Sequence, residues 1–328
     1  MVNNHAMEPA PTKDCLEVRN LTVTFPTEGG VIRPADNVSF RLSPGKTLGL
    51  VGESGSGKSV TALSIMGLTP PPGRIEGGQV LLGGKDLLSL PERELEDIRG
   101  RRIAMIFQEP ATALNPVLTV GAQIAEALAI HDAGADAWAE AVRMLDRVGI
   151  PDAPARARTY PHQMSGGMRQ RAMIAMALIC RPDVLIADEP TTALDVTIQA
   201  QIVDLMLEMQ RHLGLAILFI SHDLGVVSDI ADEIAVMYAG RLVELAPAGD
   251  LFAKPLHPYT QGLIETLPGR GARRDRLATI PGAVADLGAL PAGCGYAERC
   301  PLADDRCQDA EPPLEGNGRM VACWKAEP

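Results

Sequence analysis

The chain has 328 residues, 46% hydrophobic and 22% charged, with 41 acidic against 30 basic side chains and a formal net charge of -11. That balance excludes a non-specific binder of nucleic acid or anionic lipid, and aromatics at 3% leave no series of base-stacking platforms. The apolar content is too high for a disordered chain, and the length suits one large domain, or a core of about 250 residues with a smaller appendage.

Residues 1–14 are polar, with no basic flank leading into an apolar stretch, so a flexible lead-in is expected rather than a secretory signal. Residues 15–50 alternate apolar and polar (Leu16, Val18, Leu21, Val23, Phe25, then Val38, Phe40, Leu42) around Glu28-Gly29-Gly30, the pattern of a hairpin or meander. Thr47-Leu48-Gly49-Leu50-Val51 reads as a short buried strand running into a Gly-rich loop and a helix over 60–66. From about 109 to 165, Ile124, Leu128, Ala141, Leu145 and Val148 recur at helical spacing and predict a helical insertion. Buried strands follow at 184–187 and 217–220, with an amphipathic helix over 198–212 between them. Alternating strands and helices predict a parallel sheet covered on both faces. Apolar runs such as 215–220 are strand-length, far short of the roughly 18 residues a spanning helix needs. Beyond Pro255 the chain is rich in Pro, Gly and Ala and reads as an extension without strong periodicity.

Gly52-Glu53-Ser54-Gly55-Ser56-Gly57-Lys58-Ser59 fits G-x-x-x-x-G-K-[ST] without a mismatch, with Val60 opening the helix behind it. The glycines let successive N–H groups and the helix N-terminus face phosphate, Lys58 reaches the β- and γ-phosphates, and the Ser59 hydroxyl holds Mg²⁺. Leu185-Ile186-Ala187 ends in Asp188-Glu189. Two adjacent carboxylates at a strand end make sense beside a divalent ion, Asp188 binding Mg²⁺ and Glu189 orienting the attacking water. Ser165-Gly166-Gly167, opening a helical run, forms a second anion site.

Taken in order, Gln108, Ser165-Gly166-Gly167, Asp188-Glu189, Ala193-Leu194-Asp195 and Ser221-His222-Asp223 follow the phosphate loop as they do in ATP-binding-cassette (ABC) ATPases, which the chain resembles over about residues 15–250. The resemblance implies an α/β P-loop NTPase (RecA-like) core with an antiparallel β subdomain, a helical subdomain near 109–165 and a Cys-rich C-terminal extension over 251–328. It further implies ATP and Mg²⁺ as cofactors and a dimer holding two nucleotides. Gln108 matches the glutamine that touches Mg²⁺, His222 the histidine that contacts the γ-phosphate, and Asp195 the aspartate of the dimer seam. Ser165, Gly166 and Gly167 match the motif that binds the γ-phosphate of the other subunit's ATP. Phe25 stands where an aromatic stacks on adenine, and equally suits a core strand position. Met164 and Met168 replace the outer residues of the usual Leu-Ser-Gly-Gly-Gln.

Leu256-His257-Pro258-Tyr259-Thr260-Gln261-Gly262-Leu263, Ile280-Pro281-Gly282 and the terminal cysteines are similar to the ATPase subunits of oligopeptide, dipeptide and nickel importers. This branch also carries Ser-Gly-Gly-Met-Arg-Gln. The expected function is therefore ATP hydrolysis powering import of short peptides, with nickel or another small solute as the alternative cargo. A soluble ABC protein without transport is the rival class, and neither a second cassette nor a coiled-coil insertion supports it. The implied partners are a second ATPase subunit, a paralogue in this branch, two transmembrane permease subunits and an extracytoplasmic solute-binding protein, placing the chain on the cytoplasmic face of the inner membrane. Cys294, Cys300, Cys307 and Cys323, spaced C-x₅-C-x₆-C-x₁₅-C, lack the tight knuckles of common zinc sites. In some members of the importer branch similar cysteines hold a [4Fe–4S] cluster; zinc and unliganded thiols or disulfides remain the other readings. Cys15 and Cys180 read as small core hydrophobes.

Overall fold

The computed structural model describes residues 15–108, 113–192, 194–267 and 279–326. Residues 1–14, the first four positions of the expected helical insertion, and Ala193 lie outside the described residues. β1 (Leu16–Thr27) buries Leu16 and Val18, loses phase at Arg19-Asn20, and resumes with Leu21 and Val23. That phase slip is a bulge, with Asn20 at φ 50 and the pairing register shifting between Val18 and Leu21. β2 (Gly30–Leu42) folds back antiparallel on β1, closing the hairpin at Thr27 and Gly30. β3 (Thr47–Val51) enters a second sheet and leads to α1 (Lys58–Ile65). The chain then returns to the first sheet as β4 (Arg74–Leu82) and β5 (Lys85–Asp86), giving the order β2-β1-β4-β5.

α2 (Glu92–Ile98) and β6 (Ile103–Ile106) precede the helical part, made of α3 (Val120–Ala129), α4 (Ala137–Arg147) and the single turn α5 (Ala153–Arg156). Ile124, Ala141, Leu145 and Val148 are buried there, as their spacing predicts, and Leu128 is half-buried against the same core. α6 (Gly166–Leu178) leads to β7 (Val184–Asp188), α7 (Val196–Leu213), β8 (Ala216–Ser221), α8 (Leu224–Ile230), β9 (Glu233–Tyr238) and β10 (Arg241–Pro247). α7 starts two residues before the expected 198 because the Asp195 carboxylate accepts the Ile198 N–H at 2.9 Å and caps the helix. α9 (Ala248–Ala253), α10 (Pro258–Glu265), α11 (Asp305–Asp309) and β11 (Met320–Val321) complete the chain.

The second sheet runs β11-β10-β9-β3-β8-β7-β6. β6, β7, β8, β3 and β9 are parallel, while β10 and β11 add an antiparallel edge. Its central strands are buried along their whole length, and the period-two geometry deals their side chains to two cores. Leu185, Ala187, Ile217 and Phe219 face the core shared with the helical part. Val184, Ile186, Leu218 and Ile220 face the core shared with β1, β2 and β4. Among the described residues no helix is long and apolar enough to cross a membrane.

The segment after residue 250 does not stand apart from this sheet. β11 pairs with β10 through Glu244↔Val321 and Leu245↔Met320. Glu244 is fully buried, and its carboxylate accepts the N–H groups of Leu256 and His257, each at 2.9 Å, and Arg319 Nη2 at 3.0 Å. His257, also buried, caps α10 by accepting the Tyr259 N–H at Nδ1, and burial pushes its pKa down to about 3, so it is neutral. Cys15 and Cys180 are half-buried and packed against the edges of the two cores, their thiols lying on the carbonyls of Asp183 and Ala127. Glu244→Ala leaves two buried N–H groups without their acceptor and Arg319, which also donates to the Lys254 carbonyl, without its counter-charge. The expected loss is roughly 3 kcal/mol in denaturant unfolding, with faster proteolysis beyond residue 254.

Candidate active site

β3, β6, β7 and β8 are parallel neighbours, so the residues that follow them emerge at one edge of the sheet, where open α/β folds bind ligands. After β3 the backbone curls tightly. A Cβ on Gly57, at φ 104, would stand 1.7 Å from the Pro34 carbonyl oxygen. One on Gly52 would stand 2.2 Å from that of Met237. Gly57 is also the N-cap of α1 and supplies no side-chain acceptor, and the first turn carries no acidic residue. The helix therefore keeps its N-terminal donors and positive dipole end for an anion, unlike α7, which the Asp195 carboxylate caps. Ser54 and Gly55 are exposed at the loop's tip, Ser56 is buried and Val60 is half-buried.

Lys58 is nearly buried, its Nζ donating to the carbonyls of Gly52 at 2.8 Å and Glu53 at 3.0 Å. Burial lowers its pKa, against the raising influence of Glu189, Asp188 and Glu53. Ser59 Oγ donates to Asp188 Oδ1 at 3.1 Å, joining the start of α1 to the end of β7. Burial raises the Asp188 pKa, the Ser59 hydrogen bond opposes it, and the Glu189 charge adds to it. A hydroxyl and a buried carboxylate side by side, next to an uncapped helix N-terminus, are a fitting donor pair for Mg²⁺ on a triphosphate.

Glu189 is the centre of the remaining contacts. Gln108 Nε2 and Thr192 Oγ1 donate to its Oε2 at 3.0 and 2.9 Å, and His222 Nδ1 lies 3.2 Å from its Oε1. Burial works to raise the carboxyl pKa, but the bonds from Thr192 and His222, and the charges of His222 and Lys58, outweigh it and hold the pKa below its ordinary value. Its backbone sits at φ 47, uncommon for a residue with a side chain, and its N–H is tied to the Ile220 carbonyl at 3.0 Å.

Other expected site residues stand elsewhere. Ser165 and Gly166 are exposed, and the nearest side chains to Gly166 and Gly167 are Leu194 and Ile198. Phe25 is half-buried, its ring tip set so close to Gly73 that a Cβ there would stand 2.4 Å from it. Cys294, Cys300, Cys307 and Cys323 line one small cavity with His257 and Trp324. The Cys300 and Cys323 sulfurs accept the N–H groups of Leu302 and Lys325, both at 3.4 Å, and burial pushes the Cys294 thiol up to about 11. Yet among the described residues no group of three or more His, Cys, Asp or Glu side chains is arranged to hold a metal ion, so the expected ligand set is not preformed.

Three contributors lie outside the residues expected at the site. Thr192, at i+3 from Glu189, was legible only as spacing. Tyr259 Oη accepts the Glu53 N–H at 2.9 Å, and Arg299 grips the Glu53 carboxylate with both terminal nitrogens at 2.7 and 3.1 Å. They lie 206 and 246 residues away along the chain; Tyr259 belongs to the His257-Pro258-Tyr259 motif, but nothing local ties it or Arg299 to the phosphate loop.

The family described as ABC transporter matches residues 35–192, and that described as oligopeptide/dipeptide transporter, C-terminal region, matches 243–307. The oligopeptide transport ATP-binding protein OppD of Salmonella typhimurium is 51% identical over 321 residues, 97% of this chain and 95% of the relative. The probable peptide ABC transporter ATP-binding protein y4tR of Sinorhizobium fredii is 51% identical over 327 residues, 98% of each. Among solved structures, the dimeric ATP-binding cassette MJ0796 in a post-hydrolysis state with ADP and Pi superposes with a TM-score of 0.64 at 27% identity, covering 71% of this chain and 98% of that one. The cbiO1 subunit from Clostridium perfringens gives 0.63 at 25% identity, covering 74% and 92%. The phosphate loop, the paired carboxylates and this kinship along nearly the full length lead to one conclusion: the chain belongs to the ABC transporter family, as an ATP-hydrolysing subunit of its oligopeptide/dipeptide branch, with ATP and Mg²⁺ as cofactors.

Proposed function

We propose that this chain powers the import of short peptides from the cytoplasmic face of the inner membrane, with residues 15–250 as the nucleotide domain and 251–328 as an extension. The observation that carries the cargo class is the 51% identity to an oligopeptide transport subunit, which runs through the extension as well as the cassette. Two permease subunits, a solute-binding protein and a second, paralogous ATPase complete the assembly. Phe107 beside Gln108, and Val117 and Leu118 ahead of α3, are large apolar side chains left 42%, 75% and 39% exposed, and they suit contact with the permeases. Mass spectrometry of the complex purified through this chain should find those subunits together with peptide. Nickel in place of peptide overturns the cargo.

In catalysis, the loop N–H groups and Lys58 bind the phosphates, and Ser59, Asp188 and Gln108 would hold Mg²⁺, which supplies charge neutralisation when bound. Glu189 orients the attacking water and accepts its proton, while Gln108, Thr192 and His222 hold the carboxylate in place. Glu189→Gln should retain ATP binding and cut turnover about a hundredfold or more, whereas Lys58→Ala should weaken binding itself. Near-normal hydrolysis by Glu189→Gln in the assembled transporter refutes the assignment.

Ser165, Gly166 and Gly167 read the nucleotide of the partner ATPase, and Asp195 lies at the seam. The support is exposure: Ser165, Gly166 and Asp195 are open, and Val196 is 82% exposed. Within this chain a Cβ on Gly166 meets only Leu194 Cδ2 at 3.9 Å, an ordinary contact. Gly166→Asp should therefore fold and bind ATP normally yet abolish ATP-dependent dimer closure in sedimentation or cross-linking, with Gly166→Ala milder. Closure that survives Gly166→Asp removes the motif from the nucleotide site.

Cys294, Cys300, Cys307 and Cys323 are proposed to hold a [4Fe–4S] cluster. The support is their convergence on one cavity and the N–H groups directed at two of the sulfurs. Anaerobically purified protein should carry about four irons per chain with matching sulfide, and any one Cys→Ser change among the four should release them. Stoichiometric zinc without sulfide replaces the cluster with a single ion; metal-free, folded protein removes both.

A further inference from the structure

The phosphate loop of this chain carries an unusual burden. Glu53 places a carboxylate in a loop whose task is to receive a polyanion, and an unpaired charge there would repel the nucleotide. The structure meets that charge from the far end of the chain. Arg299, its side chain 6% exposed, forms a two-pronged ion pair with Glu53. Its Nε donates to the Pro281 carbonyl at 2.8 Å, and the guanidinium lies 5.7 and 5.8 Å from the ring centroids of Tyr238 and Tyr296. The Glu53 N–H is taken up by Tyr259 Oη at 2.9 Å, and its carbonyl accepts Lys58 Nζ and the Ser56 N–H. Every polar group of Glu53 is thus committed, two of them to the extension.

The residues making those two contacts are themselves rigid. Tyr259 is fully buried, packed edge-on against Tyr238 with ring centroids 4.7 Å apart and tilted against Tyr296 at 5.4 Å. Tyr238 and Tyr296 meet edge-on at 5.2 Å. A planar guanidinium set against two such rings, with further hydrogen bonds to the Pro281 carbonyl and the Tyr238 hydroxyl, has few alternative places to go.

We propose that Arg299 and Tyr259 are positioning residues of the nucleotide site: Arg299 neutralises and orients Glu53, Tyr259 fixes its backbone, and the extension thereby sets the ATP affinity of the phosphate loop. The proposal rests on the assignment of residues 52–59 to ATP, which binding to the unaltered chain checks separately. Two unit charges within the loop's reach of the phosphates interact strongly enough that Arg299→Ala should weaken Mg-ATP binding to the purified full-length chain by about tenfold, read by calorimetric titration. The deficit should grow at low ionic strength, because it arises from repulsion.

Charge logic makes a further demand that a merely structural role would not. Adding Glu53→Gln to Arg299→Ala should recover most of the lost affinity, since the repelling carboxylate is gone. Arg299→Lys, which retains the charge but not the fork, should fall between the two. Tyr259→Phe keeps the packed ring and removes the hydroxyl that accepts the Glu53 N–H and also bonds the Glu53 side chain, and should weaken ATP by a few fold. In the assembled transporter the loss should sit in KM for ATP, with kcat nearly unchanged. Unaltered ATP affinity in folded Arg299→Ala, or a loss that Glu53→Gln does not relieve, overturns the proposal. Should Arg299→Ala not fold, the same comparison with Arg299→Lys decides: no weakening, or no relief by Glu53→Gln, rejects it.

Discussion

The nucleotide site depends on one steric constraint: between residues 52 and 57 the backbone lies too close to two other strands to admit a side chain at either end. The Pro34 carbonyl of β2 abuts Gly57, and the Met237 carbonyl of β9 abuts Gly52. The loop's curl is therefore a property of three segments at once, and the Gly240 N–H bond to the Ser56 carbonyl at 2.9 Å adds the β9–β10 turn to them. From this follows the placement of α1, whose open N-terminus faces the ligand, and of Ser59, which reaches the end of β7. The antiparallel sheet is consequently more than a cover for the core, because its β2 strand forms part of the wall behind the loop.

A second feature is the balance around Glu189. In the role proposed for it, Glu189 must stay ionised and keep one orientation, although burial favours its neutral form. Donors from three separate segments resolve the conflict: Gln108 after β6, Thr192 after β7 and His222 after β8. The left-handed backbone at Glu189 is held by the bond of its N–H to the neighbouring strand at Ile220, so the local strain is offset by a sheet-like contact. Parallel order matters here, since only strands that end at the same edge deliver these side chains to one point.

The extension illustrates how a segment with little periodic apolar pattern is held in place. It uses a buried carboxylate at Glu244, a neutral buried histidine, a cluster of three tyrosines and a two-residue strand on the sheet edge. Each device is polar or aromatic and specific in direction, so the segment docks in one orientation, with Arg299 directed at the phosphate loop. Arg299 immediately precedes Cys300, so the cysteine cavity and the nucleotide loop are joined through adjacent residues of a single turn.

Several features were determined by the sequence alone, because they rest on local spacing. The phosphate loop, the strand ending in Asp188-Glu189, the parallel sheet and the helices carrying Ile124, Ala141 and Leu145 all follow from a contiguous motif or a repeating period. Order along the chain also grouped Gln108 and His222 with Glu189, and the structure brings both side chains to that carboxylate. Tertiary structure alone decided what meets across long separations. Cys15 and Cys180 proved half-buried, because composition does not say which face a lone thiol will find. The four terminal cysteines gathered at one cavity without forming a ready ligand set. Glu53 found Arg299 and Tyr259, more than two hundred residues away, through the docking of the extension. Local periodicity encodes which side of an element is apolar; it contains no record of which distant charge that element's loop will face once the cores have closed.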